Sequence, residues 1–368
     1  MELSRALLGS TPEHSVSMSD AALQWARWQA EALRRQTTTR GSDHLWDFPA
    51  SLDNLSLRLS EVGKREEALE YAEEATRIRR QLATWLPEAF RPALATSLNN
   101  LGNRLSGQGR REEALAAVVE AVSTCRQLAD TRPDAFLPVL AASLNNLGNM
   151  LSELGRREGA LAAVAEAVST YRQLADTRPD AFLPDLASSL NNLGAMLPAL
   201  GRREEALAAA VEAVSIQRQL AVTRPDAFLP GLAASLNNLG EMLSELGRRE
   251  EALAAAAEAV SIRRQLAVTR PDAFLPDLAM SCSVRGQVLR SAGRQREALE
   301  SFAEGLRAIA QPLAVIPAAF LQLALALAQE YLQTCEQAQI EPDVELLQPV
   351  ITAMQLVDHG QEGEGEDV

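Results

Sequence analysis

The hexapeptide SLNNLG stands at Ser97–Gly102 and is written again, unchanged, at Ser143–Gly148, Ser189–Gly194 and Ser235–Gly240. Asparagine is a poor helix former, and a solvated helix face gains from Glu, Gln or Lys in its place, so a pair kept in every copy implies a constraint beyond propensity. That constraint is either packing or a ligand.

Following the leucine of this motif through the chain gives Leu52, Leu98, Leu144, Leu190, Leu236 and Cys282, each 46 residues from the last. A fixed period of this size is the signature of a solenoid built from stacked supersecondary units. Within a unit, two helical patterns flank a glycine such as Gly155, placed as a helix C-terminal residue. The reading predicts helix A from about Pro138 to Leu154 and helix B from about Glu158 to Leu174. The segment "ADTRPDAFLP" then reads as the crossing to the next unit, with Pro179 stopping one helix and Asp180 or a neighbour capping the next. Each unit is an antiparallel helical hairpin.

These features resemble the tetratricopeptide repeat. In the second unit the family's pattern positions fall on Leu98, Leu101, Gly102, Leu105, Gly109, Ala114, Val118 and Ala121, and the match recurs in the units beginning at Leu144, Leu190 and Leu236. Leu98, Leu101 and Leu105 share one helix face, while Gly102 and Ala114 leave room for close helix approach. The 46-residue period exceeds the roughly 34 of the common form and resembles the kinesin-light-chain type and many bacterial arrays. The resemblance implies an all-α fold, a right-handed α-solenoid of stacked antiparallel hairpins.

The expected organisation is an N-terminal segment (1–47) with a capping helix, an array of about six units (48–310), C-terminal capping helices (311–358) and a disordered acidic tail (359–368). "ALQWARWQAEALRRQ", from Ala22, resembles a stray helix B, either a cap or the remnant of a longer array. Asp53 and Ser56 at one end, and Cys282, Val284 and Arg285 at the other, depart from the pattern, as terminal units do. Pro198 replaces a serine found at 106, 152 and 244 and predicts a bend at the end of one helix A.

In tetratricopeptide arrays the A helices line the inner, concave face. Carried over, that implies a groove lined by Asp53, Asn99, Asn145, Asn191, Asn237 and Ser283. Beside these run Asn54, Asn100, Asn146, Asn192 and Asn238, and a third row of Asn103, Asn149, Ala195, Glu241 and Gln287. A side-chain amide offers two donors and an acceptor, so it can pair with both polar groups of a peptide unit. Related arrays hold ligand backbones this way. The second asparagine of each pair has a structural alternative, an inter-helix hydrogen bond common in the family, whereas the first, in the Asn99 row, is assigned to ligand contact. Recent duplication of near-identical units is a third explanation.

The net charge of −14 opposes nucleic acid and anionic membranes as partners, because such binding rests on clustered Lys and Arg. Family members that grip a terminal carboxylate carry Lys and Arg on the rows that here hold Asn. With Asp53, Glu61, Glu153 and Glu245 near the groove, the expected partner is a neutral to basic protein or peptide segment. Three isolated cysteines fit neither zinc nor a disulfide framework and suit a reducing cytoplasm. The start lacks a secretory pattern, and "AAFLQLALALA" from Ala318 is too short to span a bilayer.

No cofactor or metal site is expected. His14, His44 and His359 lie in the flanks without partner spacing, and no phosphate-binding, dinucleotide, zinc-protease or serine-hydrolase motif is present. Glu112-Glu113 and its equivalents open helix B, where negative charge suits the helix dipole, and the preceding Arg-Arg pairs read as solvated loop charge. The sequence therefore predicts a non-enzymatic adaptor or sensor that binds a protein segment. The alternative is a self-associating structural repeat. The resemblance to bacterial arrays, which often accompany effector domains in signalling and conflict systems, adds a separate effector protein to the expected partners.

Overall fold

Every repeat turns at the same two places, and these two devices account for the 46-residue period. The computed structural model describes residues 15–40 and 47–363, with side chains at 22–35 and 47–357. His14, His44 and the last five residues of the expected tail lie outside the described residues, while a helix runs on to Gly363.

At the first device, a helix A ends in a three-residue turn whose glycine has positive φ, as Gly155 does at +70°, and helix B follows. Glycine adopts this left-handed conformation without the clash a Cβ would bring. At the second, a single residue joins helix B to the next helix A. Arg132 serves between Thr131 and Pro133, and its guanidinium lies 4.9 Å from the centre of the Phe136 ring, one turn into the new helix. Arg178 over Phe182 repeats the contact at 4.7 Å, and Arg270 over Phe274 at 4.8 Å.

This corrects the expected linker. After the joining arginine, "PDAFLP" opens helix A, with proline at N1, where its missing N–H is no loss. Pro138, the expected start, lies inside the helix, and no side chain caps it; Asp134 instead contributes charge to the first turn. The long period lengthens the helices to 21 residues rather than extending a loop.

The helices are α1 (Ser15–Arg40), α2 (Phe48–Glu61), α3 (Arg65–Trp85), α4 (Pro87–Gly107), α5 (Arg111–Thr131), α6 (Pro133–Glu153), α7 (Arg157–Thr177) and α8 (Pro179–Met196). They continue as α9 (Arg203–Thr223), α10 (Pro225–Glu245), α11 (Arg249–Thr269), α12 (Pro271–Ser291), α13 (Gln295–Val315), α14 (Pro317–Ala338) and α15 (Val344–Gly363). The chain forms two compact units, divided in sequence between Phe182 and Leu183, inside α8. Within each, successive helices pack as antiparallel hairpins stacked side by side, the all-α solenoid pattern.

In the first unit α1 is positioned as a helix B, since Arg34 pairs with Glu74 as Arg80 pairs with Glu120 at 2.5 Å and Arg126 with Glu166 at 2.6 Å. In the second unit the repeat geometry runs past the boundary expected at 310. That boundary falls inside α13, and α14 begins 46 residues after α12, on a proline as α12 does.

The leucine column forms the centre of the core. Leu52, Leu98, Leu144, Leu190, Leu236 and Cys282 are each no more than 1% exposed. Small residues permit close helix packing: a Cβ built on Gly102 would lie 2.4 Å from Val118 Cγ2, so α4 and α5 could not accept a side chain there without moving Val118. One buried column on the B helices varies from unit to unit, with a different partner each time. Arg79 meets Asp53, Cys125 Sγ lies 3.6 Å from Ser143 Oγ, Gln217 abuts Gly231, and Arg263 pairs with Asp277 at 2.7 Å. Such pair-specific contacts distinguish otherwise near-identical interfaces and oppose stacking in the wrong register.

Pro198 acts as a helix breaker. It ends α8 at Met196, and Leu197–Leu200 continues as a single 3₁₀ turn where the other A helices remain α-helical.

Candidate functional site

The two asparagines of each pair have different surroundings. Asn99 is 9% exposed, and its amide nitrogen donates to Ser143 Oγ at 2.7 Å, one repeat further on. Ser143 Oγ donates its own proton to the Val139 carbonyl at 2.8 Å, so it has only acceptor capacity to offer Asn99. In the second unit Asn191 donates to Ser235 Oγ at 2.8 Å and Asn237 to Ser281 Oγ at 2.9 Å.

The inter-helix hydrogen bond expected of the second asparagine is made by the first. The first row, represented by Asn99, Asn191 and Asn237, ties one A helix to the next, and its serine partner heads the following SLNNLG motif or, at Ser281, its degenerate copy. The second row, Asn100, Asn146, Asn192 and Asn238, is half-buried and makes no side-chain hydrogen bond among the described residues. Its donors and acceptors remain available. In the third row Asn103 and Asn149 are exposed, Glu241 is half-buried, and Gln287 donates to Glu330 Oε1 at 3.0 Å.

Asp53 solves the same contact with the opposite polarity. As a carboxylate it accepts from Ser97 Oγ at 2.9 Å and pairs with the buried Arg79. Asn54 lines a cavity of about 450 Å³ with Trp28, Leu33 and Ser51 near the first helix.

The loop charges are more ordered than expected. Arg110 forms a bidentate pair with Glu113, both bonds 2.7 Å, and Arg202–Glu205, Arg248–Glu251 and Arg294–Glu297 repeat it. These hydrogen bonds hold the glutamates below the usual carboxylate range. The buried thiols of Cys125, Cys282 and Cys335 are pushed up by desolvation, Cys282 to about 12, so none is a ready nucleophile at neutral pH.

Family models for the tetratricopeptide repeat match residues 50–83, 94–132, 140–179 and 185–265, more than half of the chain. The chain belongs to the tetratricopeptide-repeat family. No curated protein sequence matches it. Among solved structures it is similar to BtubC (BKLC) from P. vanneervenii, at 20% identity and a TM-score of 0.53 over 67% of this chain and 91% of that one. It is also similar to a putative kinesin light chain with nearly identical TPR-like repeats from Podosopora anserina, at 20% identity and a TM-score of 0.48 over 62% of this chain and 99% of that one. The first of these likenesses supports the solenoid fold.

Tetratricopeptide repeats are generally non-enzymatic and bind proteins or peptides, and a protein-interaction or scaffold role follows from the family. Among the described residues no helix is long and apolar enough to cross a membrane.

Sequence reasoning missed two features of this tetratricopeptide array. One is the serine row, although a serine heads every copy of the motif. The other is a cavity in the second unit, lined by Asn191, Ala195, Pro198, Asn238, Glu241 and Glu245 among others. Pro198 departs from the serine found at 106, 152 and 244, and Ala195 from the asparagine found at 103 and 149, and that was the available signal.

Proposed function

We propose that the chain is a scaffold or sensor that holds a neutral to basic protein segment along the faces that the A helices form within each of its two units. The observation that carries this reading is the row Asn100, Asn146, Asn192 and Asn238, whose amides recur every 46 residues, are partly exposed and have no side-chain partner. Amides left uncommitted in every unit can pair with the N–H and C=O of an extended segment with little demand on its sequence. Charge reinforces the choice, because the net −14 favours a partner that is not acidic. A separate effector protein fits this adaptor role.

Selection from a displayed library of random peptides tests the reading. Peptides that bind the intact chain should lose at least about tenfold in affinity for N100A/N146A/N192A, about 1.4 kcal/mol or more, while helicity is retained. Unchanged affinity would place the site elsewhere.

A second reading, self-association, has one observation in its favour. Trp25 and Trp28 stack at 5.2 Å on α1 and are 49% and 60% exposed. Sedimentation velocity across a concentration series decides it: a strict monomer removes this reading, and a W25A/W28A-sensitive oligomer supports it.

A further inference from the structure

The cavity in the second unit lies where three departures from the repeat coincide. Its volume is about 230 Å³, and it is enclosed by Asn191, Gly194, Ala195, Pro198, Asn238 and Glu241, with Glu245 at its rim. Drug-sized ligands occupy roughly 300–1,000 Å³, so the space suits one side chain rather than a small molecule.

Two of the departures, Pro198 and Ala195, leave unmade a contact that another repeat makes. In the first unit Ser106 Oγ donates to Glu153 at 2.5 Å, and in the second Ser244 meets Ser291 at 3.0 Å, 47 residues on in both cases. The same step from Pro198 leads to Glu245, which therefore lacks its serine donor; its ion-pair contact is Arg203 Nε, at 3.7 Å. Gln287 reaches Glu330, 43 residues on, whereas the same step from Ala195 leads to Asn238, and an alanine has nothing to donate. Glu241 stands where earlier units have Asn103 and Asn149. The Asn191 amide oxygen, like those of Asn99 and Asn237, is buried without a hydrogen-bond partner, and here it lines the cavity.

We infer that this cavity is an anchoring pocket for a single cationic side chain, lysine or arginine, of the bound segment. Two carboxylates four residues apart on α10 supply the countercharge, and the Asn191 oxygen supplies a neutral acceptor. The pocket has acceptors in excess and no cation of its own in hydrogen-bond contact with Glu241 or Glu245, which is the complement of an ammonium or guanidinium donor set. Burial, with Glu245 adding to it, raises the Glu241 pKa, so a cation that enters relieves an existing repulsion. The inference deepens the proposed function by naming the anchor of the segment.

Met242 lines the same pocket and is 8% exposed, so its methyl group is a local reporter. The experiment records methyl spectra of the full chain labelled at methionine, titrated to roughly 50 mM with Nα-acetyl-arginine amide, Nα-acetyl-lysine amide or the neutral isostere Nα-acetyl-citrulline amide, since a single charged contact gives affinity on the order of millimolar. The Met242 signal should move with arginine or lysine amide and stay fixed with citrulline. The response should vanish in E241Q, and also in A195N/P198S, which installs the asparagine found at 103 and 149 and the serine found at 106, 152 and 244 and refills the space. An arginine-only or lysine-only response identifies the cation and supports the pocket. An unmoved signal, or an equal shift with citrulline or in E241Q, overturns it. If the pocket fails while library-selected peptides still bind and still require Asn100, Asn146 and Asn192, the broader reading stands; if no peptide binds, both fall.

Discussion

The amide nitrogen of Asn99 and the hydroxyl oxygen of Ser143 lie 2.7 Å apart, across the junction between two repeats. This contact makes the first asparagine of the motif a stacking residue. Asn99→Ala should cost about 1 kcal/mol, whereas Asn100→Ala, which breaks no side-chain hydrogen bond, should stay within about 0.5 kcal/mol of wild type. Thermal melting of the two single variants checks the difference.

Asp53 and Arg79 are a buried pair whose members depend on each other. Arg79→Cys leaves a carboxylate without its countercharge and should cost about 3–5 kcal/mol. The double variant D53N/R79C reproduces the Asn99, Cys125 and Ser143 arrangement of the next repeat and should return to within about 1 kcal/mol of wild type. Denaturant midpoints for the single and double variants measure the rescue; no rescue would mean that the units are not interchangeable at this contact.

Gly102 is constrained by its neighbours rather than by its backbone angle. Alanine there gains helix propensity, but its Cβ would meet Val118 Cγ2 at 2.4 Å and the Ala114 carbonyl oxygen at 3.3 Å. Gly102→Ala should destabilise by about 1–3 kcal/mol, and adding Val118→Ala should not restore the wild-type midpoint, because the valine's own burial is lost.

Glu241 gives the second unit a pH signature. Its folded-state pKa is raised, first by burial and then by Glu245; the other charge at this edge is Arg203, beside Glu245, and Asn191 and Asn238 are neutral. A raised carboxyl pKa costs native stability above the folded pKa and costs nothing below the unfolded one. Glu241→Gln should therefore raise the melting temperature at neutral pH, with the gain shrinking to zero as pH falls below about 4. A gain that persists in acid would contradict the assignment.

The architecture was legible because its signals repeat. The leucine column, Gly155 and the paired helical patterns each recur at one spacing, and chance seldom produces that. The helix boundaries were not, because Pro138 and Pro179 look alike in sequence while only the second starts a helix. The roles of the asparagines were hidden for a different reason: the partner of Asn99 is 44 residues away, and only packed helices bring Ser143 beside it. A trace of that pairing was present, since Ser283 replaces the last asparagine in the same step that Leu327 replaces the last serine. The cavity could have been found from Ala195 and Pro198, but only with the register that places them opposite Asn238 and Glu245.

The most direct test of the account compares two variants of the full chain, N99A/N191A/N237A and N100A/N146A/N192A, in melting temperature and in affinity for a library-selected peptide. The account predicts that the first set melts at a lower temperature, and that the second keeps the wild-type melting temperature but loses the peptide. A second set that binds as well as wild type, or that unfolds as readily as the first, would contradict it.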